Sequence, residues 1–397
     1  MTTPVRSHHD VVVVGARCAG AATAMLLARA GHDVVMVDRA ELPADRTSTH
    51  ALARGAVVQP ARWGLLEELL ETGAPPIRQV SFHHAGTLTR RTVKHSAGVD
   101  LLLAPRRYVL DDVLARAAVH AGAELLTGVT VTGALRDATG RVTGVVARDT
   151  QGRRLELTAR LVVGADGVHS RMAGLLGAQT VARYAPGGGC VYTYVGDVPW
   201  NGFEFHVSEN AFAGVFPTHD DQACVWLIRP TELLAPVLGA GARRSEAWLD
   251  ALGTTTPELA ERVRSGSVNA PVRGAVDLPN HRRRAAGPGW ALVGDAGYHR
   301  DPITGHGITD AFRDAELLAE AADRLLQASQ PHALAAYEAE RNTAITDVFA
   351  LTRALGGFPE PETFLHLQAR LSKALEREAQ ALAARPVPVG TAVAPAA

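Results

Sequence analysis

The chain has 397 residues, 47% of them hydrophobic, and a formal net charge of -1 at pH 7. That length can bury a sizeable core and hold two subdomains. The balanced charge, without marked basic or acidic blocks, argues against nucleic acid as a partner.

The first element is a β-branched run, Val11 to Val14, which suits a buried parallel strand. Gly15, Ala16, Arg17, Cys18, Ala19 and Gly20 then turn the chain into an Ala/Leu/Met-rich helix over Ala21–Ala30, which Gly31 ends. A second apolar run, Val34 to Val37, closes on Asp38 and Arg39. This is a βαβ unit, whose helix N-terminus can bind a pyrophosphate through free N–H groups and the macrodipole. Asp38 stands where a carboxylate accepts hydrogen bonds from an adenosine ribose, and it disfavours a 2′-phosphate. FAD or NAD therefore fits better than NADP. Arg17 departs from the usual pattern, because it takes the place of the middle glycine. Its side chain is expected to contact the pyrophosphate itself.

Leu161 to Val163 is a second short strand, ending in Gly164-Ala165-Asp166-Gly167, with Ser170 and Arg171 opening a helix. From about 181 to 275 the texture changes. Val191–Val195, Phe203–Val207, Ala213–Pro217 and Gln222–Ile228 alternate or run as strands with polar turns between them, which predicts an antiparallel sheet. Leu233–Leu252 and Glu258–Val263 add helical cover. Leu292-Val293 repeats the strand-to-glycine arrangement, with Gly294-Asp295-Ala296-Gly297, a loop through Pro302, and a helix from about Thr309. An acid beside glycines at a strand end can accept bonds from polyol hydroxyls. The Gly305-His306-Gly307 turn leads into a helix N-terminus that can stabilise negative charge. Pro331–Leu355 and Glu362–Ala384 read as further helices. The stripe of Phe364, Leu367, Leu371 and Leu375 packs on the domain in this reading, with a partner subunit of a homodimer as the alternative.

Together these motifs resemble the group A flavoprotein monooxygenases, the para-hydroxybenzoate hydroxylase-like family, over about Asp10 to Phe349. The resemblance implies an α/β fold: a discontinuous Rossmann-like FAD-binding domain with an inserted antiparallel-sheet substrate domain and C-terminal helices. Its pieces are 1–180 (with an inserted segment around 76–100) and 276–330, with the substrate domain at 181–275, helices at 331–384 and a disordered tail at 385–397. It implies that the first motif holds the ADP part of FAD, Gly294-Asp295 the ribityl–pyrophosphate region, and Asp166 a place in both FAD and NAD(P)H handling. It sets Arg107 of Arg107-Tyr108-Val109-Leu110 beside FAD, Pro302 beside the ring and Arg46 at a flavin or pyrophosphate contact; Gly305, His306, Gly307 and Ile308 are further cofactor-binding candidates, His306 either facing the ring edge or capping and packing the helix. The family more often has Gly-Gln-Gly where this chain has Gly305-His306-Gly307. Geranylgeranyl reductases and flavin halogenases share the framework, but the halogenase Trp-x-Trp-x-Ile-Pro motif is absent.

The implied activity is NAD(P)H- and O2-dependent oxygenation of an aromatic or polyketide-like small molecule through a flavin C4a-hydroperoxide. Reduction of carbon–carbon double bonds is the alternative. The protein's task is positioning, water exclusion and electrostatics, while the cofactor supplies the hard chemistry. Catalytic candidates are His299, Arg300 and Pro302, chosen for their place between Gly297 and Gly305. Tyr192, Tyr194, His206 and Phe216 are candidate substrate contacts, His50 is a further candidate base, and His219 is expected in a solvated turn. Arg282-Arg283-Arg284 reads as a solvated loop. Cys18, Cys190 and Cys224 show no disulfide or metal spacing, and no His/Asp/Glu cluster has ligand spacing, so no metal is expected. Met1 to Asp10 is short and polar, and no apolar run reaches membrane-spanning length. A cytoplasmic protein without a membrane span is therefore expected.

Overall fold

A computed structural model describes residues 5–45, 47–388 and 390. Arg46, expected to contact flavin or pyrophosphate, lies outside the described residues.

The opening β-branched run becomes the strand Val5–Val14, which lies between Val34–Val37 and Arg154–Gly164 with both pairings parallel. Trp290–Leu292 joins the far side of Arg154–Gly164, also parallel. Val14 sits opposite Val37 and Gly164, and Gly164 sits opposite Leu292. The turns that follow these four strands therefore all leave from one carboxyl edge, where ligands bind in open α/β sheets. Helices Cys18–Arg29, Arg107–His120 and Gly307–Ala328 cover one face, with Val11, Val13, Met25, Leu114, Phe312 and Leu318 buried between them. The hairpin of Thr130–Arg136 and Val142–Arg148 helps enclose the other face.

The second sheet runs Ser267–Val268, Gly188–Gly196, Ala223–Pro230, Ala211–Pro217, Phe203–Ser208, Gln79–His84, Thr87–Thr92. Residues alternate between its faces. Phe203, Phe212, Phe216 and Trp226 share one apolar cluster, while Val191, Val215, Val225 and Leu227 pack on the other side against helices Thr231–Gly239, Arg244–Thr255 and Pro257–Arg264. The strands expected between 181 and 275 pair antiparallel, as predicted. The inserted segment around 76–100 supplies Gln79–His84 and Thr87–Thr92, which extend this second sheet, and Gln79–His84 runs parallel to Phe203–Ser208. The strand's partner is far away in sequence, so no local pattern announced either fact.

Helix Pro361–Ala383 lays its apolar stripe on this sheet, with the Phe364 and Phe212 rings 5.2 Å apart. The tail expected to be disordered from residue 385 is anchored at its start. Arg385 pairs with Glu320 and Glu340 at 2.7 Å each, and Arg62 donates to the Pro386 carbonyl. The run expected as a solvated loop instead enters the strand Asn280–Arg283, where Arg283 donates to the Ala296 carbonyl. No helix among the described residues is long and apolar enough to cross a membrane.

Candidate active site

A cavity of about 710 Å³ opens along the carboxyl edge of the first sheet. Gly15, Arg17, Ala19, Asp38, Arg39, Arg107, Asp166 and Asp295 line one stretch of it. His299, Arg300, Pro302, Gly305, His306, Gly307 and Ile308 line another. Motifs separated by more than a hundred positions thus converge because their strands end in register.

The first turn is tight. Gly15 has φ +106°, and a Cβ there would sit 2.4 Å from the Ala165 carbonyl oxygen. At Gly20 a Cβ would meet the Gly15 carbonyl at 1.8 Å. Asp38 accepts from the Ala16 N–H at 3.1 Å and from the Ala40 N–H at 2.9 Å, so it braces the turn it was expected to serve as a ribose contact. Arg17 is held within this frame. Its Nη1 donates to Asp111 Oδ2 at 3.4 Å and to the Ala44 carbonyl at 3.3 Å, and its Nε lies 3.8 Å from Asp38.

Asp111 was not singled out in the sequence. It is 1% exposed, and it accepts from Arg17, from Arg107 Nη2 at 3.0 Å and from the Cys18 N–H at 3.2 Å. Its only local signal was an acid four residues after Arg107 on the apolar face of a helix. Asp166 also has a structural duty: it accepts from Ser170 Oγ and from the N–H groups of Arg171 and Met172, which caps the helix Arg171–Leu176. Burial, reinforced by Asp310, pushes the Asp295 carboxyl above its ordinary value, against the pull of His299 and Arg107.

Arg300 pairs with Asp310 at 2.7 Å, and Asp310 also receives Arg313 at 2.7 Å. This buried network ties the Pro302 loop to helix Gly307–Ala328. Asp301 adds a second tie, accepting from the N–H groups of Gly187 and Gly188 at 3.1 and 3.2 Å. His299 Nδ1 contacts the Pro279 carbonyl at 2.6 Å, and His306 Nδ1 contacts the Thr304 carbonyl. A carbonyl only accepts, so each Nδ1 carries a proton, and only the deprotonated Nε2 of a neutral form could accept. Burial, then Arg300, lowers His306 to about 4.

A second cavity, of about 920 Å³, lies against the aromatic face of the second sheet. Phe203, Phe205, Phe212, Phe216 and Trp226 form its wall. It shares Thr49, Ala51, Pro302, Gly305 and His306 with the first cavity. Phe216 is therefore on the chamber wall, and Tyr192 lines the first cavity. Tyr194 lines neither; it is buried under the Arg106 guanidinium, 3.6 Å from its ring, and bonds His50 Nε2 at 2.9 Å. His206 is a correction. It is one residue out of phase with Phe203 and Phe205, so it faces away from the chamber. His219 is also corrected, being 5% exposed and bonded to Thr72 and the Arg106 N–H. Strand pairing assembles one group invisible in the sequence, His83, Glu204 and His206.

A family model described as an FAD binding domain matches residues 8–352. The chain belongs to that family. It is 30% identical over 340 residues to a menaquinone reductase of Mycolicibacterium smegmatis, covering 78% of this chain and 75% of that protein. It is 28% identical to a digeranylgeranylglycerophospholipid reductase of Methanocella arvoryzae, covering 86% and 84%. PqsL of Pseudomonas aeruginosa, described as a probable FAD-dependent monooxygenase, superposes with a TM-score of 0.77 at 25% identity, covering 91% of this chain and all of that one. The flavin-dependent brominase Bmp2 has the same fold, with a TM-score of 0.80, 19% identity and 94% of each chain covered. The protein is an FAD-dependent oxidoreductase of this superfamily.

The chain's own geometry fits FAD. Helices Cys18–Arg29 and Gly307–Ala328 begin at residues 17 and 306 without side-chain caps, so both N-termini leave N–H groups for negative charge at the cavity. Arg17 Nη2, Arg107 Nε and Thr309 Oγ1 are buried without hydrogen-bond partners. When bound, FAD supplies hydride or activates oxygen. Gly15–Gly20, Asp38 and Arg107 would hold its ADP half, Asp295 its ribityl chain, and Pro302–Ile308 its ring.

Proposed function

We propose that the protein saturates a carbon–carbon double bond of a large apolar substrate, a hydride from reduced FAD going to one carbon and a proton drawn from solvent to the other, with NADH or NADPH as the reductant. The aromatic chamber of about 920 Å³ carries this reading, because it meets the flavin cavity across Pro302, Gly305 and His306. That volume lies at the upper end of small-molecule sites, more than a single phenol ring needs. The reductase names of the 30% and 28% identical relatives support the same direction. In this reading the aromatic wall binds and desolvates the substrate. The network through Arg300 and Asp310 holds the Pro302 loop in place, and His306 Nε2 accepts a hydrogen bond at the shared wall.

The second reading is NAD(P)H- and O2-dependent monooxygenation, favoured by the likeness to PqsL and by His306 Nε2, which can orient a substrate hydroxyl. At about 4 its basicity is too low to deprotonate a phenol efficiently. The test is incubation of FAD-loaded protein and NADPH or NADH with a menaquinone and with a polyprenyl lipid, first without oxygen and then under isotopically labelled dioxygen. A product that gains two hydrogens at a prenyl double bond without oxygen, and not merely at the quinone ring, supports reduction. A product carrying one labelled oxygen atom supports the second reading. Reduced flavin that neither apolar compound reoxidises sinks the reductase proposal.

A further inference from the structure

Behind the chamber wall, the second sheet brings together three side chains that the flavin chemistry leaves unused. Strands Gln79–His84 and Phe203–Ser208 pair in parallel with His83 opposite His206, so both imidazoles stand on one face. Their rings stack 4.1 Å apart at 12°. Each Nε2 lies 3.7 Å from the same oxygen, Glu204 Oε2. All three candidate ligand atoms lie within 4.8 Å of one another.

His206 supplies an independent observation. It is 5% exposed, yet its Nε2 has no hydrogen-bond partner. A buried polar atom left this way costs free energy that a ligand recovers.

We propose that His83, His206 and Glu204 form a binding site for a zinc-class divalent metal ion. Two imidazole nitrogens and one carboxylate oxygen are the donors such an ion prefers, with a fourth position left for water. Ligands about 2.1 Å from a tetrahedral ion lie roughly 3.4 Å apart, so small side-chain rotations close the set.

Arg262 is the group the ion must accommodate. It donates to Glu204 Oε2 at 2.7 Å and to Oε1 at 3.1 Å. Its side chain is about one third exposed and rests over Trp200. On metal binding Oε2 passes to the ion while Arg262 keeps Oε1, the outer hydrogen bond that ligating carboxylates commonly receive. The ion would clip the outer hairpin to the strand that carries Phe203 and Phe205, and so stiffen the chamber wall from behind.

The test is calorimetric titration of the FAD-loaded protein with Zn²⁺ near neutral pH, together with the melting temperature at each zinc concentration. One ion per chain and a rise in melting temperature with zinc are expected. His83→Gln and His206→Gln should each weaken binding by about tenfold or more, while His95→Gln, at an exposed histidine, should leave it unchanged. The flavin absorbance of each variant shows that it is folded. If His206→Gln fails to fold, the half-buried His83→Gln still decides. Absence of saturable binding, or zinc affinity undiminished in folded His83→Gln, overturns the proposal.

Discussion

Asp111 shows how a single buried acid can organise a cofactor turn. Its side chain is fully enclosed and takes the charges of both Arg17 and Arg107. Removing one partner of a buried charge set strands the other. Asp111→Asn is therefore expected to cost about 3–5 kcal/mol of stability and to lower flavin occupancy, as read by melting temperature and by the flavin-to-protein absorbance ratio. An unchanged ratio would mean that neither arginine meets the cofactor. Asp295→Ala should strip FAD during purification without a comparable loss of secondary structure. If the purified variant keeps full flavin content, the third motif does not hold the ribityl chain. Asp38→Ala should reduce FAD affinity and melting temperature together, because Asp38 braces the Ala16 turn. A stable variant with weakened FAD would instead single out the ribose contact.

At the scale of elements, the chamber depends on packing from outside the sheet. Phe364 on helix Pro361–Ala383 is 3% exposed and tilts against Phe212, which also meets Trp226 at 5.0 Å. Phe364→Ala removes that support and leaves a void beside the chamber. The expected loss is about 3 kcal/mol, with flavin content retained, because neither Phe364 nor Phe212 lines the FAD cavity. Parallel loss of flavin and stability would show that the two sheets unfold as one unit. The pairing of Gln79–His84 with Phe203–Ser208 explains why one hairpin edge can influence the chamber. Its strand is continuous in the sheet with the strand bearing Phe203 and Phe205.

Across the whole molecule, buried imidazoles make stability depend on acid. Burial, then Arg106 and Arg107, lowers His50 from 6.5 to about 3. Burial, then Arg283, lowers His281 to about 4, and His306 falls to about 4 for the reasons given above. Below about pH 6.5 the unfolded chain takes up protons that the folded protein refuses. The stabilisation from these neutral rings is complete above about 6.5 and is lost as pH falls toward 4 and then 3. The melting temperature should therefore be flat above that value and fall below it. His306→Gln should make the fall shallower, and an identical slope would show that His306 already titrates near its ordinary value in the fold.

The local signals were strong wherever chemistry and chain geometry coincide within a few residues. Val11–Val14, the glycine turn, Val34–Val37 and Asp38 reveal a βαβ unit because strand, turn and helix preferences are written in contiguous sequence. Gly294-Asp295 and Gly305-His306-Gly307 are legible for the same reason. Side-chain direction was not legible. His206 faces away from the chamber because period-two alternation needs a known strand phase, and the parallel partner Gln79–His84 carries no nearby mark. Asp111 looked like any acid on a helix until folding enclosed it with two arginines. Sequence alone determined the cofactor framework, through local backbone preference and the positions of glycine and acid. Tertiary structure alone decided which strands end together, which face of a sheet sees the chamber, and which buried charges meet, because these depend on contacts between residues far apart in the chain.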